Sequence, residues 1–205
     1  MYSGLMRRVD RIVGTMLPLP RSNVDTDQII PKQFLKRIER TGFGAYLFND
    51  WAQRPDGSPD PDFVLNQPEY SDAVVLLAGS NFGCGSSREH AVWALEDRGF
   101  KAVIAPSFGD IFRNNCHKVG LLPVLLGEAD VGRLMALARD PRPVVTIDLE
   151  RQTVTAADLT ASFEIDPFVK HCLINGLDEI ALIEEHESEI AAYEQRRPAW
   201  RPVTI

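Results

Sequence analysis

The stretch that most constrains the fold begins with the apolar run Ala73-Val-Val-Leu-Leu-Ala78, which has no polar side to its pleat. Such a run predicts a strand buried on both faces, so the fold must supply a layer above it and a layer below it. A glycine-rich loop follows, and then a helical pattern with Ala91, Ala94 and Leu95 on one face and Gly99 placed to end it. The pattern then repeats. Lys101-Ala-Val-Ile-Ala105 is a second short strand ended by Pro106. Phe108 to Lys118 reads as a helix with Ile111, Phe112 and Asn115 in phase, and Leu121 to Leu126 is a third strand. Consecutive strand–helix–strand units predict right-handed crossovers and a parallel core sheet. Val131 to Arg139 reads as a further helix, stopped by Asp140-Pro-Arg-Pro143. Val144 to Leu149 and Gln152 to Thr155 then alternate as a hairpin, with Ser162 to Asp166 as another strand. The expected fold is three-layer α/β, a parallel core sheet with helices and a second, hairpin-containing β layer.

The loop itself, Gly79-Ser-Asn-Phe-Gly-Cys-Gly-Ser-Ser-Arg88, carries the chemistry. Glycines let backbone N–H groups approach a ligand and permit positive φ. The loop empties into a helix start, where unpaired N–H groups and the macrodipole attract anions. Arg88 adds a permanent charge able to grip a carboxylate or phosphate through paired hydrogen bonds. Together they predict an anion site with hydroxyls in it. A plainer reading of Ser86-x-x-Glu89 is a capping box, which would commit one serine to a backbone N–H and leave the other for a ligand. The familiar phosphate and hydrolase loops do not fit. Arg88 stands where the last glycine of the dinucleotide fingerprint belongs, no Walker lysine is present, and Glu89 breaks the nucleophile elbow.

The words Gly85-Ser-Ser-Arg-Glu-His-Ala91 closely resemble the swivelling domain of the aconitase superfamily. Asn23-Val-Asp-Thr-Asp-Gln-Ile-Ile-Pro31, Thr41-Gly-Phe-Gly44, Leu47-Phe-Asn-Asp-Trp51 and Gly120-Leu-Leu-Pro123 narrow the resemblance to the bacterial small-subunit family of 3-isopropylmalate dehydratases. It runs from about residue 5 to the C-terminal helix and implies a single swivelling domain over residues 1–205, with a C-terminal helix and tail. His117 and Val119 depart from the family pattern, which usually has Phe and Asn there. The resemblance implies a hydro-lyase that isomerises 2-isopropylmalate to 3-isopropylmalate by dehydration and rehydration, a step of leucine biosynthesis. Ser86 falls at the family's base position, and Ser87 and Arg88 at adjoining substrate contacts. Arg40 falls where a second substrate arginine sits, and Phe34 and Leu35 on the loop that recognises the isopropyl group. Asp25, Thr26 and Asp27 border the site. A [4Fe–4S] cluster is expected on a large partner subunit, in a heterodimer or heterotetramer. Related acids such as citraconate or methylmalate are an alternative substrate class. A non-catalytic carboxylate- or phosphate-binding module, or a hydrolase using Ser86 or Ser87 with His90, are the alternative functions.

Composition fits this. Over 205 residues, 44% hydrophobic and 25% charged, there is material for one good core. A net charge of −7 argues against nucleic-acid binding. The N-terminus lacks a signal-peptide run and no apolar stretch is long enough for a membrane span, so a soluble, cytoplasmic chain is expected. Cys84, Cys116 and Cys172 are scattered without a C-x-x-C pair, and the four histidines lack metal-ligand spacing. No metal or cofactor is therefore expected on this chain. Asn23 to Asp27 resembles the opening of a calcium loop but lacks its glycine and its final acid, and reads instead as a set of Asx turns. Val9 to Leu19 reads as an opening strand and turn closed by Pro18 and Pro20, Pro31 to Arg40 as a short helix bearing Phe34, Leu35 and Ile38, and Trp51 to Asp62 as a surface loop. Pro167 opens a helical region in which Ile180, Ile183, Glu187 and Ile190 share near-helical spacing, with Glu184 to Glu189 as its solvated face.

Overall fold

A computed structural model describes residues 6–36 and 41–198. The chain opens with β1 (Arg11–Gly14) and β2 (Met16–Leu19), then two one-turn helices, α1 (Thr26–Ile29) and α2 (Asn49–Ala52). β3 (Val75–Ala78), α3 (Glu89–Asp97), β4 (Ala102–Ala105), α4 (Asp110–Val119), β5 (Leu122–Leu125) and α5 (Glu128–Arg139) form the alternating middle. β6 (Val145–Asp148), β7 (Thr153–Ala156) and β8 (Leu159–Ser162) precede the helices α6 (Pro167–Asn175), α7 (Glu179–Glu184) and α8 (Glu187–Gln195).

Two sheets result, a parallel one in the order β2-β3-β4-β5 and an antiparallel one in the order β1-β6-β7-β8. The parallel strands are buried along their length, and their alternate residues feed separate cores. Leu17, Leu76, Val103 and Ala105 face a core shared with Ala91, Leu95 and Phe112 of α3 and α4. Val75, Leu77, Ile104 and Val124 face a second core with Val145, Ile147, Val154 and Leu159 of the antiparallel sheet. α5 lies on this second side, packed on β2, β3, β4 and β8. The layers are therefore helix, parallel sheet, and antiparallel sheet with α5 beside it, as the doubly apolar run at residues 73–78 requires. The antiparallel sheet alternates buried and outward residues because only one of its faces is covered.

Several local expectations are corrected. Residues 9–19 hold two strands in different sheets: β1 pairs antiparallel with β6, and β2 pairs parallel with β3. Pro18 does not close a strand but lies buried inside β2, and Pro123 lies inside β5. Both are edge strands, where a missing ladder N–H is tolerated. The last strand is Leu159–Ser162 and not Ser162 to Asp166. It begins early because Ala156 pairs with Leu159 across a two-residue turn in which Ala157 takes φ 50°, a conformation its residue type does not advertise. Asp166 instead caps α6, accepting from the N–H groups of Phe168 and Val169. Of the short helix expected over Pro31 to Arg40, Lys32–Lys36 is a 3-10 helix, and residues 37–40 lie outside the described residues. Residues 53–62 are folded back by a Gln53–Pro59 bridge and by the Asn66 amide, which donates to the carbonyls of Ala52 (2.7 Å) and Asp60 (2.8 Å). The C-terminal region is three helices, on which Phe168, Ile180, Ile183, Ile190 and Tyr193 are exposed.

Candidate functional site

The segment after β2 and the loop after β3 run side by side, extending the parallel pairing beyond the strands. Asn23 N–H donates to Ser80 O (2.8 Å) and Gly83 N–H to Val24 O (2.7 Å). Thr26 then binds the loop twice: its N–H donates to Cys84 O (3.0 Å) and its hydroxyl to Ser86 O (2.9 Å). From the other side, Phe82 N–H donates to Ser107 O (3.0 Å) and Gly109 N–H to Phe82 O (2.9 Å). The loop is thus held by backbone on both flanks. Phe82 is fully buried beneath it, edge-on to Phe108 and Phe112. Gly83 and Gly85 hold φ of 73° and 88°, and a Cβ on Gly83 would run into the Phe112 ring. Glycine is required there by both torsion and space.

This scaffold lifts Ser86 and Ser87 to an exposed crest just ahead of α3. The helix starts later than a capping box needs. Its first residue is Glu89 and its cap is Arg88, with no side-chain cap bond. Ser86 therefore lies two residues outside the cap, and neither serine caps the helix. Among the described residues neither hydroxyl has a hydrogen-bond partner, so both are available to a ligand.

Arg88 has its side chain largely buried, 16% exposed, and its guanidinium points across the loop to α1. There it forms a paired hydrogen bond with Asp27: Nη1 donates to Oδ1 and Nη2 to Oδ2, the latter at 2.9 Å. α1 is itself fixed by a capping box, in which Asp25 accepts from Gln28 N–H (2.7 Å) and Gln28 Oε1 accepts from Asp25 N–H (3.0 Å). Asp25 is thus a helix cap where Asx turns were expected. The Asp27–Arg88 pair spans 61 positions and could not be read from spacing. The only sign of it in the sequence is a second aspartate two places after Asp25.

Among the described residues His90 makes no hydrogen bond to either serine. Its ring lies edge-on to Phe43 (5.2 Å between centroids) and against Trp93 (4.7 Å), and burial lowers its pKa. That geometry forms no Ser–His dyad. Phe34 and Leu35 are half-buried against the helix-side core, Phe34 stacked on Tyr46 at 4.1 Å. Arg40 lies outside the described residues. A cleft of about 530 Å³ opens at the far end of α3, lined by Gly42, Gly44, Leu47, Gln53, Asp97 and Arg98, well away from the serine crest.

Among the described residues no group of three or more His, Cys, Asp or Glu could hold a metal ion. Cys116 is fully buried and burial pushes its thiol pKa up, which suits a packed thiol and not a ligand. Also among the described residues, no helix is long and apolar enough to cross a membrane.

Comparison with known proteins shows what the chain as a whole is similar to. The family model of the aconitase C-terminal domain matches residues 6–129, and the LeuD_N model matches residues 133–167. The chain is 55% identical over 198 residues to the 3-isopropylmalate dehydratase small subunit of Rubrobacter xylanophilus, covering 96% of this chain and 98% of that protein. A crystal structure of 3-isopropylmalate dehydratase (leuD) from Methanocaldococcus jannaschii superposes with a TM-score of 0.67 at 27% identity, covering 89% of this chain and 99% of that one.

Proposed function

The chain belongs to the family of 3-isopropylmalate dehydratase small subunits, and from that premise we propose that it is the small subunit of a two-subunit hydro-lyase interconverting 2- and 3-isopropylmalate. The observation that carries this reading is the match to the Rubrobacter protein at 55% identity over nearly the whole of both chains. The geometry supports it. An exposed pair of free hydroxyls at a helix start, beside a guanidinium, suits a substrate that is a dicarboxylate losing a proton next to a carboxyl group.

In this reading Ser86 removes and returns that proton. A serine alkoxide needs positive potential, which the start of α3 and Arg88 supply. Ser87 and Arg88 hold a substrate carboxylate, and Arg40 holds the other. Phe34 and Leu35 border the isopropyl group. The serine crest is exposed, so the site needs a second surface to enclose it and exclude water. That surface belongs to a large subunit. Among the described residues the cysteines and acids do not fit a [4Fe–4S] cluster, so the Lewis acid for the departing hydroxyl is assigned to that subunit as well. The same reading takes residues 1–205 as one swivelling domain, supported by the core that joins both sheets. It places the enzyme in the cytoplasm.

The test is isomerase activity on 2-isopropylmalate after the purified chain is mixed with its candidate large subunit. Activity on citraconate or methylmalate in preference would redirect the substrate assignment. No activity on any of these acids would sink the proposal.

A further inference from the structure

The pairing of Arg88 with Asp27 is more than the reading above requires. Arg88 is the one cation of the serine loop, and a mostly buried guanidinium can rotate about its last bonds unless something holds it. Asp27 holds it end-on, through Nη1 and Nη2. That leaves the side-on edge, with Nε, free to meet a carboxylate. Asp27 is well placed for this because the backbone beside it is hydrogen-bonded to the loop. α1 is capped at Asp25, anchored by fully buried Ile29, and tied by Thr26 to Cys84 O and Ser86 O. Serine loop, Arg88 and Asp27 therefore form one hydrogen-bonded unit built from segments far apart in sequence.

We propose that Asp27 is a positioning residue that holds the Arg88 guanidinium end-on, so that its side-on edge meets the substrate carboxylate beside Ser86. This rests on the reading of the crest as a carboxylate site. Because Asp27 is itself anionic and half exposed, it repels a substrate carboxylate mildly. Its contribution is therefore orientation, and not ground-state affinity.

The experiment has a kinetic arm and a spectroscopic arm. In the reconstituted complex, Asp27→Asn should lower kcat roughly 10- to 100-fold, since small misplacements of a clamping group are costly, while KM stays level or falls. In a double-mutant cycle, Asp27→Asn should add less than about 2-fold to the loss already caused by Arg88→Lys, because a lysine has no fork to orient. Independent, multiplying losses overturn the proposal. So does an unchanged kcat, or a loss confined to melting temperature or assembly with kcat per complex intact. In the full chain labelled with nitrogen-15, Arg88 should give resolved Nη–H signals, assigned by their disappearance in Arg88→Lys and collapsed in Asp27→Asn. Identical signals in wild type and Asp27→Asn overturn the pairing. If Asp27→Asn fails to fold, Asp27→Ser carries the same measurements. If the wild-type complex proves inactive on isopropylmalate, the proposed function falls, and the Nη–H signals decide the pairing alone.

Discussion

The proposed roles of Ser86 and Arg88 differ although the two are neighbours on one loop. Ser86 caps nothing, so its removal should leave the fold nearly untouched. Ser86→Ala is expected to lower kcat of the reconstituted complex by at least about 10²-fold, within the 10²–10⁴ range of general-base catalysis, with KM and melting temperature close to wild type. Steady-state kinetics and thermal unfolding of the same sample check this. A variant that melts early yet turns over normally would remove the serine from the chemistry. Arg88→Lys keeps the charge but cannot keep paired N–H···O bonds. Losing one charge-assisted bond, worth about 1.5–3 kcal/mol, lowers kcat/KM roughly 10- to 150-fold. Wild-type kinetics in that variant would exclude Arg88 from substrate contact.

α4 matters at the next scale, because it carries Phe112 beneath the glycine loop and His117 near its end. Burial, with Arg113 nearby, lowers the His117 pKa to about 4, and Asp166 only partly opposes this. The folded chain therefore keeps a neutral imidazole through most of the range in which an unfolded one, near pKa 6.5, takes a proton. The unfolded state binds more protons below about pH 6.5, so stability falls as pH drops through the window from 6.5 to about 4 and flattens beneath it. For a partly exposed ring the loss is about 1–3 kcal/mol. Urea midpoints at pH 7 and pH 4.5 should show this, and His117→Phe should reduce the difference. An undiminished difference in His117→Phe would place the acid sensitivity elsewhere. The same helix shows what pattern could and could not foretell. Its existence and its buried Phe112 were legible in apolar phase, whereas α3 was legible as a helix but not in where it began. A capping box is a sequence word, and whether it caps depends on which residue first turns helical. Here the glycine loop, held by residues 24–26 and 107–109, delays the helix to Glu89.

On the scale of the molecule, the proposed site is a crest and not a pocket. The purified chain alone should be folded, colourless and without activity, and should gain isomerase activity only with the large subunit. Circular dichroism, visible absorption and a coupled activity assay on the same anaerobic preparation test this. Iron–sulfur absorption from the chain alone would overturn the assignment of the cluster to the partner.

The sequence by itself determined the layered α/β fold and the position of the serine loop. A strand apolar on both sides must lie between two layers, and glycines before a helix start leave a narrow choice of local geometry. It also carried the family, through words such as Gly85 to Ala91 that are short and contiguous. Tertiary structure alone decided three things. It sent β1 and β2 into different sheets, because hydrogen-bonded partners far along the chain choose the sheet. It placed the last strand at Leu159, because Ala157 adopts a turn conformation that its residue type does not announce. And it brought Asp27 to Arg88, because a bond between side chains 61 residues apart exists only when the backbones of two loops have already been laid side by side.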